Sequence, residues 1–259
     1  MKYLLTLFTA ALFVISCGPD TNDYTLVWSD EFDYEGLPNP DKWGYEVGYI
    51  RNNEAQYYTE KRSENARVED GNLIIEARRD NWEDHEYTSA SLRTKNTQTW
   101  QYGKFEVKAK LPTGRGMWPA IWMLGENIDA VGWPECGELD IMENVGFDPD
   151  RIHANIHTGA YNHVEGTNKG NSITVDAPYE NYYVYSMEWT PTNIDFFIDD
   201  SLYFSFEKEA DNAEVWPFDQ QFYLIINAAI GGGWGGQQGI DTTIFPQQYY
   251  VDYVRVYQK

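Results

Sequence analysis

Three carboxylic acids, Glu138, Asp140 and Glu143, lie within six residues of an otherwise apolar stretch. Burying a carboxylate in a strand costs free energy, so three of them among leucine, isoleucine and methionine demand a reason. In a regular strand Glu138 and Asp140 share one face, and Glu143 points the opposite way. A β-bulge near Ile141 and Met142 would return Glu143 to that face and pack one of the two bulge residues on the core.

Two carboxyl groups on one strand face suit the hydrolysis of glycosidic bonds. A retaining glycosidase holds a nucleophilic and an acid/base carboxyl group about 5–5.5 Å apart. Four effective steps along a flat strand separate the backbones by roughly 13 Å, so side-chain reach and a concave sheet must close that gap. Clustered like charges raise the pKa of at least one carboxyl group, which a general acid requires, and Asp140 can keep the acid's proton in place.

Two other interpretations of the acids remain open. The acids could bind calcium, although the glycine and the closer alternation of an EF-hand loop are missing. They could also form the solvated face of an edge strand, although the apolar residues between them argue against a fully solvated strand.

Alternation of apolar and polar residues predicts an all-β protein. It is clearest where Phe105, Val107 and Ala109 are separated by charged residues, and helical periodicity is nearly absent. Further strands are predicted at residues 73–77, 193–198, 222–229 and 249–257. Many short strands with turn residues between them indicate a β-jelly-roll sandwich of two antiparallel sheets with a concave cleft. No linker or repeat interrupts residues 24–259, which we predict to form one domain.

Charge and aromatic content narrow the partners. The net charge of −22 disfavours nucleic acid and mildly disfavours sulfated or uronic polysaccharides. The chain carries 10 Trp and 20 Tyr, whose flat faces suit the C–H face of a neutral sugar, although most of them could simply be core residues.

The first residues resemble a bacterial lipoprotein signal. Residues 1–17 combine an early lysine, an apolar run too short to span a bilayer, and the sequence VIS before Cys17. We therefore predict that Cys17 is acylated, that residues 18–23 form a tether, and that this bacterial protein is a cell-envelope lipoprotein held to a membrane only by its lipid. An ordinary signal peptide with a coincidental cysteine is the alternative. Cys136 would then be unpaired, so no disulfide is expected.

The acidic stretch is similar to the Glu-x-Asp-x-x-Glu motif of glycoside hydrolase family 16, in particular its laminarinase-like members. Other segments match the family in the same order along nearly the whole mature chain. These segments are residues 28–32, 52–58, 102–106, 116–124, 231–236 and 251–257.

The resemblance implies a β-jelly roll with retaining chemistry and no catalytic cofactor. It makes Glu138 the nucleophile, Asp140 its helper and Glu143 the acid/base. It also implies endo attack on β-1,3 linkages, or on mixed β-1,3/1,4 linkages, by a monomer.

The resemblance also implies sugar-binding residues. Trp118 and Trp122 would form a platform beside the cut, since residues four apart on a strand share a face. Core packing is the alternative for any single tryptophan. The remaining candidates are Asn52, Trp133, His157 and Trp234, with His153 on the same strand face as His157.

A structural calcium ion on the convex face is implied by the resemblance alone. Its ligands would be Asp252 and backbone oxygens near Glu31 and Gly71. In another respect the chain departs from the family, which usually has arginine where this chain has Ser91. Arg93 lies two positions later on the same strand face, and whether it substitutes is left open.

Two alternative functions remain. One is a family enzyme acting on another glycan, such as lichenan, agar or carrageenan, or a transglycosylase. Members that act on mixed-linkage glucan or xyloglucan with an unbulged motif lack the extra residue that Met142 supplies here, and enzymes acting on sulfated galactans would favour a basic cleft. The other is a glucan-binding protein without catalysis, which the presence of both Glu138 and Glu143 argues against.

Overall fold

The computed structural model of the protein describes residues 24–259. The predicted signal peptide, Cys17 and the tether lie outside the described residues. The described part consists of strands, loops and one short helix. This helix is not long and apolar enough to cross a membrane.

The strands are joined by tight turns and by longer loops. In chain order they are β1 (Thr25–Asp30), β2 (Gly44–Tyr45), β3 (Gln56–Tyr58), β4 (Ala66–Glu69), β5 (Asn72–Ala77), β6 (Tyr87–Ser89), β7 (Ser91–Arg93), β8 (Gly103–Lys110), β9 (Met117–Gly125), β10 (Glu138–Val145), β11 (Asp148–His157), β12 (Lys169–Thr174), β13 (Tyr183–Trp189), β14 (Asn193–Ile198), β15 (Ser201–Glu207), β16 (Phe222–Ile230) and β17 (Gln247–Gln258). Helix α1 (Ile128–Val131) lies between β9 and β10. Every segment predicted as a strand from its sequence pattern contains one.

Two antiparallel sheets form the body of the protein. The outer sheet has the order β15-β14-β13-β8-β17-β5-β4, with β1 also paired to β17. The second sheet, here called the cleft sheet, has the order β12-β11-β10-β9-β16-β7-β2. A small parallel pair, β3 and β6, lies apart from both. The prediction of an antiparallel sandwich is confirmed.

The core lies between the two sheets because alternate residues of each strand point inward. Along β8 every second residue is buried, including Phe105 and Val107. Strand β16 differs, because all nine of its residues are buried. One of its faces packs in the main core. The other packs in a second apolar cluster at Tyr223 and Ile225 and forms part of the cleft floor at Asn227 and Ala229.

Candidate active site

The three acids lie on β10 at the centre of the cleft sheet, and the predicted bulge is present. Glu138 pairs with His157 of β11 and Glu143 pairs with His153, so five steps on β10 match four on its neighbour. The register with β9 shifts in the same way between Asp140 and Met142. The bulge therefore brings Glu143 to the side of the other two acids, and all three line one cleft.

The core side of the bulge differs from the prediction in one respect. Ile141 and Met142 are both fully buried in the core, where only one of them was expected to pack. A bulge places two residues opposite one, so both can turn away from the cleft. This packing anchors the bulge from behind.

The three acids Glu138, Asp140 and Glu143 are here called the acidic row. At one end of this row, Glu138 and Asp140 lie beside His157. The Nε2 atom of His157 lies 3.3 Å from Asp140 Oδ2 and 3.6 Å from Glu138 Oε1. Trp133 donates an indole hydrogen bond of 2.9 Å to the other Glu138 oxygen. Asp140 Oδ2 and His157 Nδ1 are buried without a hydrogen-bond partner, and a catalytic role is one explanation for such orphaned polar atoms.

Glu143 is held differently, because both of its carboxylate oxygens accept hydrogen bonds. Trp118 donates from its indole nitrogen at 3.1 Å, and Asn155 donates from its amide at 3.2 Å. Asn168 in turn donates to Asn155 at 3.0 Å, which fixes the orientation of that amide. Glu143 is therefore positioned by residues of β9 and β11, the two neighbours of its own strand.

Burial is the main cause of the raised pKa of each acid in the row. Burial and the Asp140 carboxylate together raise the pKa of Glu138 to about 8. Burial also raises the pKa of Glu143, and burial and the Glu143 charge raise that of Asp140. Three negative charges cannot be held here at once, so the row keeps at least one proton at neutral pH. The row can thus supply both a proton and a carboxylate.

Trp118 and Trp234 form an aromatic wall beside Glu143. Their rings meet edge to face at 5.7 Å, and Trp234 meets His153 in the same way at 4.9 Å. The glycines after β16 permit this contact, because a Cβ on Gly235 would lie 2.8 Å from the Trp118 side chain. Trp118, Trp234 and His153 all line the cleft.

Trp122 also lines the cleft, but its ring is largely covered. Only 7% of the residue is exposed, and the Arg51 guanidinium lies 4.7 Å from the ring centre. The indole of Trp122 donates to Asn227, which donates to the Tyr58 hydroxyl. The predicted platform is therefore unequal, since Trp118 is the more accessible ring and Trp122 belongs mainly to the floor.

The cleft has a volume of about 590 Å³. Of the predicted sugar-binding residues it is lined by Asn52, Trp118, Trp122, His157 and Trp234, and His153 lines it as well. Trp133 is not among the residues that line the cleft, and its ring lies 5.0 Å from the ring of His163. The cleft is also lined by residues that we did not predict, chiefly Arg51, Glu54, Asn155, His163, Asn168 and Asn227. The alternation of β11 could have revealed Asn155, which lies between His153 and His157 on one face.

The surroundings of Ser91 show which side chains lie where the family usually has arginine. The Ser91 hydroxyl donates to the buried carboxylate of Glu46 at 2.7 Å. Arg51 forms the close ion pair with that carboxylate, and Arg93 reaches it only at 4.0 Å. Because Arg51 lines the cleft and Arg93 does not, Arg51 supplies the guanidinium on this side of the site.

The side chains of Asp252 and Glu31, at the predicted calcium site, form ion pairs. The Asp252 carboxylate lies 2.6 Å from Lys108 Nζ, and Arg255 binds both oxygens of Glu31. Among the described residues, the grouping of acids and histidines close enough to hold a metal ion is Glu138, Asp140 and His157. The other predicted ligands are backbone oxygens near Glu31 and Gly71, and these side-chain ion pairs do not test them.

Cys136 is a buried core residue, as predicted. It lies in a small apolar cluster with Trp122 and Tyr223. Burial raises the pKa of its thiol to about 12, so it stays protonated and unreactive at neutral pH.

Comparison with known proteins identifies the family. Residues 53–255 match the family described as glycosyl hydrolases family 16. The chain belongs to this family. The resemblance inferred from the acidic motif and the matching segments is therefore confirmed.

Two of the relatives come from Rhodothermus marinus. A β-glucanase from this organism is 54% identical over 255 residues, which cover 93% of this chain and 89% of the relative. The X-ray structure of a laminarinase from the same organism superposes with a TM-score of 0.88 at 55% identity, covering 91% of this chain and 97% of the other.

A third relative has been crystallised with sugar. It is a family 16 non-specific endo-β-1,3(4)-glucanase with 1,3-β-D-cellobiosyl-glucose at its active site. It superposes with a TM-score of 0.88 at 48% identity, covering 92% of this chain and 96% of that structure. The predicted jelly roll is confirmed by these neighbours.

Proposed function

We propose that this family 16 protein is a retaining endo-glycosidase that hydrolyses β-1,3-glucans, including mixed β-1,3/1,4 chains. The observation that carries the proposal is the β10 bulge, which brings Glu138 and Glu143 onto one side of the cleft floor. The names of the relatives support the substrate class, since they are β-glucanases and laminarinases. The sandwich positions the acids, and the aromatic wall offers a face for the sugar ring.

In the first step Glu138 attacks the anomeric carbon and Glu143 protonates the leaving oxygen. The glycosidic bond breaks, a bond forms between the sugar and Glu138, and the leaving chain departs as an alcohol. This assignment follows the family resemblance. It requires Glu143 to carry the proton and Glu138 to be ionised when the bond breaks, although burial raises the pKa of Glu138 to about 8.

In the second step Glu143 takes a proton from water, and the water oxygen displaces Glu138 from the anomeric carbon. The released sugar keeps the β configuration because the carbon has been inverted twice. Trp118 and Asn155 hold Glu143 in place through both steps, since each donates to one of its oxygens.

Asp140 and His157 act on Glu138. Both lie beside its carboxylate, and Asp140 adds to the charge that raises its pKa. As the anomeric carbon becomes positive, the ionised form of Glu138 is favoured. Asp140→Asn should therefore lower activity without abolishing it.

NMR of the first product from a β-1,3-glucan tests the mechanism. We expect the β anomer, and an α-configured first product would mean inversion and overturn both glutamate roles. Glu138→Gln should abolish hydrolysis with little change in side-chain volume, and Glu165→Gln on an exposed loop is the matched control. Full activity of Glu138→Gln would contradict the proposal.

Product analysis on a panel of neutral glucans tests the substrate class. Laminarin-type chains should be cut internally, giving short oligosaccharides early in the reaction. Cleavage of agar or of a sulfated galactan without cleavage of any β-glucan would assign the other specificity that the sequence left open.

A structural calcium ion at Glu31, Gly71 and Asp252 stays a prediction from the resemblance. For calcium to bind, Lys108 would have to release Asp252. Addition of calcium should then raise the melting temperature of the wild type and not that of Asp252→Ala. An unchanged melting temperature in the wild type would contradict the predicted calcium site.

We also propose that the protein is a monomeric lipoprotein of a bacterial cell envelope, anchored through Cys17. The support is the sequence of residues 1–17. Cys17→Ser should move the protein from the membrane fraction to the soluble fraction. Soluble, unacylated wild-type protein would contradict the anchor, and light scattering of the released protein would test the monomer.

A further inference from the structure

Exposed apolar side chains are concentrated in one short segment before Arg51. Val47, Tyr49 and Ile50 are 46%, 59% and 41% exposed. They account for three of the nine large hydrophobic residues that are exposed in the described chain. Clustered apolar exposure indicates a binding surface more often than scattered exposure does.

Tyr49 belongs to a cluster of four rings, here called the aromatic patch, formed by Tyr49, Tyr57, Trp82 and His85. Tyr57 and His85 stack face to face at 3.9 Å, and Tyr49 meets both edge to face at 5.6 Å. The Tyr49 hydroxyl and His85 Nδ1 form a 3.0 Å hydrogen bond. The exposed ring of Tyr49 is therefore held in one orientation, which lowers the entropy lost when a ligand packs on it.

The remaining ring of the patch is covered on one side. Trp82 lies 6.2 Å from both Tyr57 and His85, and the Arg62 guanidinium lies 5.1 Å from the Trp82 ring. Arg62 is itself bound to Asp80 at 2.7 Å. The patch thus offers aromatic faces and hydroxyl or imidazole groups, and the nearby positive charge is already neutralised.

The patch is close along the chain to residues that line the cleft. Tyr49 precedes Arg51 by two residues, so their Cα atoms are at most about 7 Å apart, and Arg51 and Asn52 line the cleft. Gly48 and Tyr58 exchange backbone hydrogen bonds of 2.9 and 3.0 Å, which tie this segment to β3. Tyr58 also takes part in the hydrogen-bond network beneath Trp122. The segment therefore has a fixed position relative to the acids.

We infer that the aromatic patch is a distal subsite, which binds a remote part of the same neutral β-glucan chain whose scissile bond lies over Glu138 and Glu143. The inference rests on the proposed function for the identity of the ligand. A β-glucosyl ring presents C–H groups on both faces and hydroxyls around its edge, which matches a flat ring bordered by hydrogen-bonding groups. Binding there adds contacts with a long polymer at a distance from the bond that is cut.

Tyr49→Ala tests the subsite, because Tyr49 is the most exposed ring of the patch. The KM for a long β-1,3-glucan should rise about three- to tenfold, as expected for one lost aromatic contact. The KM for an aryl glycoside or a disaccharide, which fills only the cleft, should change less than about twofold, within the range of small surface effects. Trp82→Ala should act in the same direction, and Tyr253→Ala on the outer sheet is the control that should change neither.

Equal changes for long and short substrates would mean that Tyr49 only positions the cleft, and no change for either would mean that the patch binds nothing; both results overturn the inference. A separate experiment remains informative if the wild type cuts no β-glucan. Inactive Glu138→Gln protein, with and without Tyr49→Ala, is tested for co-sedimentation with insoluble β-1,3-glucan. Binding weakened by Tyr49→Ala supports the subsite even if hydrolysis fails, and unweakened binding or none overturns it.

Discussion

Glu143 differs from the other two acids in the number of hydrogen bonds that it accepts. Both of its oxygens are held by donors, while Asp140 Oδ2 has none. Hydrogen bonds from N–H groups favour the charged form of a carboxyl group, and burial favours the neutral form. These opposing effects suit a group that must alternate between acid and base during one catalytic cycle.

The first prediction at this scale separates the roles of the two glutamates. Glu143→Ala should slow cleavage of a natural glucan by about 10²–10⁴, the usual contribution of a general acid. An activated aryl glycoside needs little protonation of its leaving group, so its first step should suffer less. Azide should then partly restore turnover and give a β-glycosyl azide. An α-glycosyl azide from this variant would instead identify Glu143 as the nucleophile.

The second prediction concerns stability and pH. The pKa of Glu138 is raised to about 8 in the folded protein, so between about pH 4.5 and 8 the folded state binds more protons than the unfolded state. This glutamate's contribution to stability therefore falls as the pH rises through that window. Glu138→Gln cannot ionise and should be about 1–3 kcal/mol more stable than the wild type at pH 8, with a smaller difference at pH 5.

Chemical denaturation at both pH values measures this difference. Glu165→Gln, on an exposed loop, is the control that should follow the wild type. A Glu138→Gln variant less stable than the wild type at pH 8 would show that Glu138 is not strained by burial.

At the scale of the element, the bulge in β10 decides which face Glu143 occupies. Side chains alternate along a strand, so parity determines the face, and one extra residue reverses it. Ile141 and Met142 fill the core behind the bulge and so stabilise the irregular backbone that the site needs.

A pair of deletions tests this parity. Removing Met142 leaves a regular strand in which both glutamates still share a face, so activity should fall but stay measurable. Removing both Ile141 and Met142 turns the second glutamate toward the core, so activity should be lost. Both deletions remove buried side chains and should lower stability by at least the 2–5 kcal/mol of a large-to-alanine change. Activity is therefore compared at temperatures where circular dichroism shows each variant folded.

At the scale of the whole molecule, the chain has a net charge of −22, and its cleft contains the acidic row as well. The cations at the cleft are few, and Arg51 is already paired with Glu46. A negative field of this kind repels anionic chains over a distance set by the ionic strength.

Salt should therefore discriminate between substrates. As sodium chloride rises from about 0.01 M to about 1 M, the Debye length falls from about 30 Å to about 3 Å. The KM for a carboxymethylated β-1,3-glucan should fall over this range, because repulsion is screened, while the KM for the neutral glucan should change little. The same salt response for both polymers would show that the overall charge does not influence binding.

The sequence alone was sufficient for features that depend on near neighbours in the chain. Alternation along β8 predicted a strand, and the spacing of Glu138, Asp140 and Glu143 predicted the bulge, because both follow from the twofold repeat of an extended backbone. The composition likewise indicated neutral rather than anionic ligands.

The tertiary structure decided which distant residues meet these acids. Trp118 and Asn155 lie 25 and 12 residues from Glu143, and they reach it only because β9 and β11 flank β10. It also decided that Arg51, rather than Arg93, approaches Glu46 and Trp122. Sheet order and loop paths set such contacts through packing of the whole core, and local periodicity carries no information about them.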